Sequence, residues 1–295
     1  MTSLPVSIIG FGLMGEVYAA RLIAAGIPVR GFDIDPARRT RLEEIGGVSE
    51  DNIAAMLATP SRCILLAVFS TDQVQDIVDT YILPVREQTP DVTIVCTTTA
   101  DPDRIAALAA RVTKHGIRFL DVPVSGTSEQ VRRGDGVALI GGDPDIAAAL
   151  ADIFEALFAR SFHIGKAGDG GRAKLAVNLI LGLNRLALAE GLVFAEKLGL
   201  DPEAFLEVAK GSASYSQVMQ TKGPKMLRGD FSPEGRVKQT LKDCHLMLDQ
   251  AASAGQTLSM LEVHAGVLEA CVRAGEAELD NSAIINEVRR RGTRG

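Results

Sequence analysis

Near the amino terminus an apolar run, Val6-Ser7-Ile8-Ile9, breaks into Gly10-Phe11-Gly12-Leu13-Met14-Gly15. No other segment limits the possible folds as much. A glycine triplet alone is a common turn, but this one stands between a buried-strand pattern and a helix pattern over residues 16–24. Gly10 permits a tight turn, Gly12 lets a ligand approach the backbone, and Gly15 lets the helix pack closely on the strand. The helix start then offers N–H groups and the positive end of its dipole to a phosphate. The turn formed by Gly10, Phe11, Gly12, Leu13, Met14 and Gly15 is therefore the candidate cradle for a dinucleotide pyrophosphate. The alternative is a purely structural turn.

A second apolar run, Val29-Arg30-Gly31-Phe32, ends in Asp33, about twenty residues after the glycines, where a carboxylate accepts hydrogen bonds from an adenosine ribose. The same charge repels a 2′-phosphate, so Asp33 favours NAD over NADP. The rival reading has Arg38 or Arg39, beyond the Asp35-Pro36-Ala37 helix start, holding that phosphate. Solvated arginines are ordinary at such a place.

At 295 residues the chain exceeds the usual size of a single core, and two domains are expected. Its net charge of −6 comes without a basic block, which argues against nucleic acid or an anionic membrane as the main partner. The sequence shows no apolar stretch of membrane-span length and no secretory pattern at its start. Cys63, Cys96, Cys244 and Cys271 lack CxxC spacing and read as reduced core thiols of a cytoplasmic protein. His115, His163, His245 and His264 are equally dispersed, so no metal site is expected.

From residue 1 to about 163, short β-rich runs alternate with helical patterns. Further strands are expected over residues 63–68, 92–96, 118–121 and 137–140, with helices over 72–81, 102–115 and 144–159. That alternation implies a mostly parallel sheet covered by helices on both faces. After about residue 165 the strand signals stop. Gly168-Asp169-Gly170-Gly171 leads into an Ala- and Leu-rich run to residue 198, a helix of roughly forty ångströms. Asp201-Pro202-Glu203 looks like the capped start of the next helix. The expected architecture is an α/β Rossmann-type dinucleotide-binding domain (1–163), then an all-α domain (164–295), joined by a long interdomain helix over about 170–198.

Four clusters can carry chemistry. Lys174 and Asn178 lie one turn apart on one face of the long helix, among small and aliphatic neighbours. A lysine in an apolar cleft loses hydration when charged, so its pKa falls from about 10.4 toward a range useful for proton transfer. A snorkelling lysine beside an ordinary asparagine fits the spacing equally well. Asp121-Val122-Pro123-Val124-Ser125-Gly126 follows a strand at the sheet edge where ligands bind. Ser125 and the N–H groups after it suit a carboxylate, and a proline-stiffened loop is the plainer reading. Cys96-Thr97-Thr98-Thr99-Ala100-Asp101-Pro102 offers Thr98 or Thr99 to a nicotinamide ribose or carboxamide, with Asp101 the better helix cap. Lys242-Asp243, within a helical stretch over 237–250, is by default a solvated ion pair.

Together these motifs resemble the β-hydroxyacid dehydrogenases, the group containing 3-hydroxyisobutyrate dehydrogenase and tartronate semialdehyde reductase. The resemblance runs from Ile8 to the late Asp280-Asn281-Ser282-Ala283. It rests on four motifs in order: the glycine turn, Asp-x-Pro-Val-Ser-Gly at 121–126, Gly-x-Gly-x-x-x-Lys-x-x-x-Asn at 168–178, and Lys242-Asp243. It implies hydride transfer between NAD(H) and a small β-hydroxy acid or its semialdehyde, with Lys174 as general acid/base and Asn178 beside it. Ser125 and Gly126 are implied as the substrate-carboxylate anchor, with Thr127 next to them. Lys242 is implied to reach substrate and cofactor from the helical domain, and Thr99 and Phe69 to contact the cofactor.

The chain also departs from that pattern. Thr127 stands where many members have a second glycine, so a side chain narrows or re-polarises the pocket. Arg132 or Arg133 either meets an extra acidic group of the substrate or lies on an exposed turn. Two alternatives stay open: an imine reductase of similar architecture, and a non-catalytic scaffold that keeps the cofactor fold. A homodimer or homotetramer is expected from the extensive helical half and its apolar long helix.

Overall fold

The computed structural model describes residues 4–88 and 92–292. The chain divides into two compact units between Lys174 and Leu175. The first is built on one sheet of nine strands: β1 (Val6–Ile9), β2 (Val29–Phe32), β3 (Val48–Ser49), β4 (Cys63–Leu66), β5 (Thr93–Cys96), β6 (Arg118–Asp121), β7 (Val124–Ser125), β8 (Val137–Gly142) and β9 (Arg160–Gly165). Strands β3-β2-β1-β4-β5-β6 run parallel in that order. β8 then pairs antiparallel with β6 and β7, and β9 adds to β8 in parallel. The sheet is thus mostly parallel, and its order reverses between β1 and β4, the point at which open α/β sheets bind ligands.

The helices of this unit are α1 (Leu13–Ala24), α2 (Pro36–Glu44), α3 (Ile53–Leu57), α4 (Thr71–Ile77), α5 (Pro102–Lys114), α6 (Ser128–Arg132), α7 (Pro144–Ala148) and α8 (Ala151–Leu157). Burial on both faces explains the unbroken apolar runs of the central strands. Cys63 and Leu65 of β4 pack in a core with α1 and α8, whereas Ile64 and Leu66 enter a second core with α4 and α5.

The helix expected over 144–159 is two helices. The chain turns at Ala149 and Leu150, and Leu150 drops into the first core. The helix expected over 72–81 starts at Thr71 and runs on as a π-turn (Val78–Ile82) and a 3-10 turn (Leu83–Gln88), where Pro84 removes a donor.

The long helix α9 (Asp169–Lys197) crosses the division. The second unit continues with α10 (Pro202–Lys210), α11 (Gln217–Thr221), α12 (Gly223–Arg228), α13 (Val237–Ser253), α14 (Ser259–Arg273) and α15 (Ile284–Arg291) around its own core. Helices α2, α5, α7 and α10 each start Asp-Pro, and each aspartate side chain caps its own first turn. The expectation that no stretch is long and apolar enough to span a membrane needs correction. By length and composition α9 is, although 39% of its most apolar window is buried in the protein. Polar residues such as Asn184, Arg185 and Glu190 interrupt the apolar run and mask its high mean hydropathy.

Candidate active site

The glycine turn follows β1 directly. Gly10 has φ +97°, and a Cβ there would lie 2.7 Å from the Ala67 carbonyl oxygen. A Cβ on Gly15 would overlap the Gly10 oxygen at 1.9 Å, so the helix and turn are in backbone contact. Gly12 differs, because beyond its own neighbours in the chain no described atom lies within 4 Å of where its Cβ would be. It is also the N-cap of α1, which has no side-chain cap, and half-buried Leu13 and Met14 form the first turn. Open space above Gly12 at an uncapped helix start fits a pyrophosphate. The Phe11 ring does not reach that space, because it fills the gap over Gly31, where a Cβ would come within 2.3 Å of it.

Asp33 is buried beside this turn. Its Oδ2 accepts the Phe11 N–H at 2.6 Å and its Oδ1 accepts the Asp35 N–H at 2.8 Å. The arginines that follow are not simply solvated. Arg38 Nη1 lies 3.3 Å from Asp33 Oδ2. Arg39 donates to the Asp33 carbonyl at 2.8 Å and lies over the Phe32 ring.

Two further residues stand at carboxyl ends of the central strands. Phe69, after β4, is 42% exposed, and its N–H is held by Gln73 Oε1 at 2.8 Å. After β5 the two adjacent threonines separate. Thr98 is buried and donates to the Val68 carbonyl at 3.0 Å, whereas Thr99 is half-buried.

After β6 the chain forms the 121–126 loop. Ser125 and Gly126 are half-buried, and Gly126 has φ +143°. Thr127 has a use that the sequence alone did not suggest. Its hydroxyl accepts the Gln130 N–H at 3.2 Å while Gln130 Oε1 takes the Thr127 N–H at 2.8 Å, a reciprocal cap on α6. Arg132 and Arg133 lie on the exposed side and pair with Glu129. At the start of α9, Asp121 Oδ2 accepts the N–H groups of Gly168 (3.1 Å) and Gly171 (2.8 Å). Lys174, one turn further on, is 6% exposed.

In the second unit, Asn178 Nδ2 donates to Asp243 Oδ2 at 3.0 Å, and Lys242 Nζ lies 3.1 Å from Asp243 Oδ1. The Lys242–Asp243 pair is not solvated, since the side chains are 19% and 10% exposed. Arg185 is a functional candidate that the sequence alone did not single out. It is buried, and its Nε and Nη1 make no hydrogen bond among the described residues. Burial pushes its pKa down, while Asp280, Cys244 and Asp243 pull it up. Burial, together with Arg185, also pushes the His264 imidazole down to about 4 and so keeps it neutral. The one signal in the sequence was spacing: Arg185 lies seven residues after Asn178, on the same helical face.

Both units are similar to known proteins. Residues 5–165 match the family described as the NAD binding domain of 6-phosphogluconate dehydrogenase. Residues 168–288 match the one described as NAD-binding of NADP-dependent 3-hydroxyisobutyrate dehydrogenase. L-threonate dehydrogenase of Cupriavidus necator is 27% identical over 95% of this chain and 94% of its own. The 2-hydroxy-3-oxopropionate reductase of Escherichia coli is 28% identical over 94% of each. The solved structure of Mycobacterium tuberculosis 3-hydroxyisobutyrate dehydrogenase with L-serine superposes with a TM-score of 0.85, at 26% identity over 97% of this chain and 99% of that one. An imine reductase from Pseudomonas shares the fold less closely, with a TM-score of 0.66 at 21% identity over 97% and 99%. With both units matched in order and these relatives similar over nearly their whole length, the chain belongs to the β-hydroxyacid dehydrogenase family.

Proposed function

We propose that this enzyme interconverts a small β-hydroxy acid and its semialdehyde or keto form, with Lys174 as the general acid/base. The observation that carries this reading is a buried lysine one turn past a helix start held to the 121–126 loop. When bound, the nicotinamide dinucleotide supplies or accepts the hydride. Lys174 takes the hydroxyl proton in oxidation and returns it in reduction, help typically worth roughly 10²–10⁴ in rate. Ser125 and Gly126 anchor the substrate carboxylate, and Thr127 bounds the pocket beside them. Asn178, oriented by Asp243, binds the substrate near the reacting carbon, and Lys242 contributes to substrate and cofactor binding. Phe69 and Thr99 bound the nicotinamide side.

Asp33 supports NAD over NADP, because a 2′-phosphate would meet a carboxylate. Arg38 and Arg39 lie close enough to soften that preference. An imine reductase is the weaker reading, since the named relatives act on hydroxy acids or their oxo forms. The four buried free thiols support a reducing compartment, the cytoplasm. A homodimer or homotetramer is supported by the apolar residues that α9 leaves uncovered, Ile180 (64%) and Phe194 (65%) among them.

The test follows absorbance at the NADH band while purified protein meets small β-hydroxy acids, their semialdehydes and cyclic imines. Turnover of the acids and semialdehydes alone is expected. Turnover of imines alone, or cofactor binding without turnover of anything, would reject the proposal.

A further inference from the structure

Asp121 does something that membership of the 121–126 loop does not explain. It ends β6 with 1% of its surface exposed, and both of its N–H donors come from far along the chain, at Gly168 and Gly171. The fit there excludes side chains. A Cβ on Gly170 would lie 2.6 Å from the Asp121 carbonyl oxygen and 2.5 Å from that of Leu139. The start of α9 is thereby fixed against the ends of β6 and β8. The first N–H groups of a helix have no partner within it, and a carboxylate there satisfies them and complements the dipole.

Burial pushes the Asp121 carboxyl up to about 6, although the Gly171 and Gly168 N–H groups favour the anion. The charges around it are Arg172 and Asp169 on α9 and Asp103 on α5. Arg172 gives its hydrogen bonds to Asp169 and Asp103. A carboxylate kept at such a desolvation cost is a mark of a functional site.

We infer that Asp121 is a positioning residue: it suspends the first turn of the Lys174 helix from the loop that carries Ser125 and Gly126. One carboxylate then sets the spacing between the proton donor and the substrate anchor. The inference rests on the assignment of Lys174 above. Without the cap the first turn frays, and the amine at the end of its four-carbon stem loses its place. A misplacement of about 1 Å is enough to cost roughly a hundredfold in rate.

The test compares full-length wild type with Asp121→Ala, Asp121→Asn and Lys174→Ala, reading kcat, KM, cofactor affinity and melting temperature. It adds the labelling rate of individual lysines by an amine-reactive ester, followed by peptide mass spectrometry. Asp121→Ala is expected to lose about a hundredfold in kcat, with cofactor affinity held within about twofold. Lys174 should label faster, while Lys222 and Lys225, buried in the other unit, should not. Asp121→Asn keeps an oxygen acceptor but not its charge, and is expected to lower kcat about tenfold.

A common rise in labelling at all three lysines would reduce Asp121 to general stability and overturn the inference. So would wild-type kcat with unchanged Lys174 labelling in Asp121→Asn, whether or not Asp121→Ala folds. Normal turnover by Lys174→Ala would instead remove the assignment of Lys174. Labelling in the Asp121 variants would still report whether the helix start had moved.

Discussion

Asp33 and Asp121 are both buried carboxylates just beyond strands or at their ends, and both accept backbone N–H groups from glycine-rich turns. Their surroundings then diverge. Asp33 has Arg38 against it, 45% exposed, so the pair opens toward solvent. Asp121 has no such rim. The nearby Arg172 is engaged by Asp103 and Asp169, and the carboxylate faces the backbone of α9. One sheet thus uses the same local device twice, once beside the glycine turn proposed to hold the cofactor and once at the proposed brace of α9. The strand end gives the position, and the next charged neighbour gives the role.

If that division is real, variants on one side should leave the other side's measurement unmoved. The largest effect is expected from Lys174→Ala, which should lose roughly 10²–10⁴ in kcat while NAD affinity by calorimetry stays put. A parallel loss of affinity would break the division. Next comes the pH dependence of stability. Burial raises the Asp121 carboxyl from 3.8 to about 6, so the folded state binds that proton more tightly than the unfolded chain. The stabilisation is complete below the unfolded value and is lost as pH rises through the folded one. The interval corresponds to roughly 3 kcal/mol. Asp121→Asn should remove this slope, so denaturant titrations from pH 4 to pH 7 should show it gaining on wild type by about that much.

Asp33→Ala should weaken NAD by roughly tenfold, the worth of a charge-assisted hydrogen bond, and relax discrimination against NADP without changing kcat at saturating cofactor. An unchanged ratio of the two cofactors' efficiencies would remove Asp33 from selectivity. Arg38→Ala should have the smallest effect. Its exposed pairing is worth about 1 kcal/mol or less, so NADP should weaken by only a few fold in the same titration.

The sheet was legible wherever a strand is buried on both faces, as at Val6–Ile9 and Cys63–Leu66, because few environments besides a doubly covered sheet demand so short an unbroken apolar run. β9 was not, because five of its six residues are exposed and show no alternation. β3 has only two residues, too few for any pattern. The break before α8 was hidden because Leu150 keeps the helical spacing while leaving the helix. In the site, the glycine turn was legible as a strand-to-helix junction, because the apolar run before it and the helical pattern after it are local. The burial of Lys242–Asp243 was not, because Asn178, which gives Asp243 its partner, lies 65 residues away. Asp121 was legible as part of a loop and not as a brace, since its donors come 47 and 50 residues later.

The empty space at Gly12 has an evolutionary consequence. Its backbone is extended, with φ −70° and ψ −165°, so alanine is tolerated there without strain, and a methyl group would touch no protein atom. A single base change is therefore expected to leave folding and melting as in the parent while a methyl group fills the space proposed for the pyrophosphate. This position would separate cofactor binding from folding. It makes Gly12→Ala the simplest control for separating what the protein does as a catalyst from what it does by merely being present.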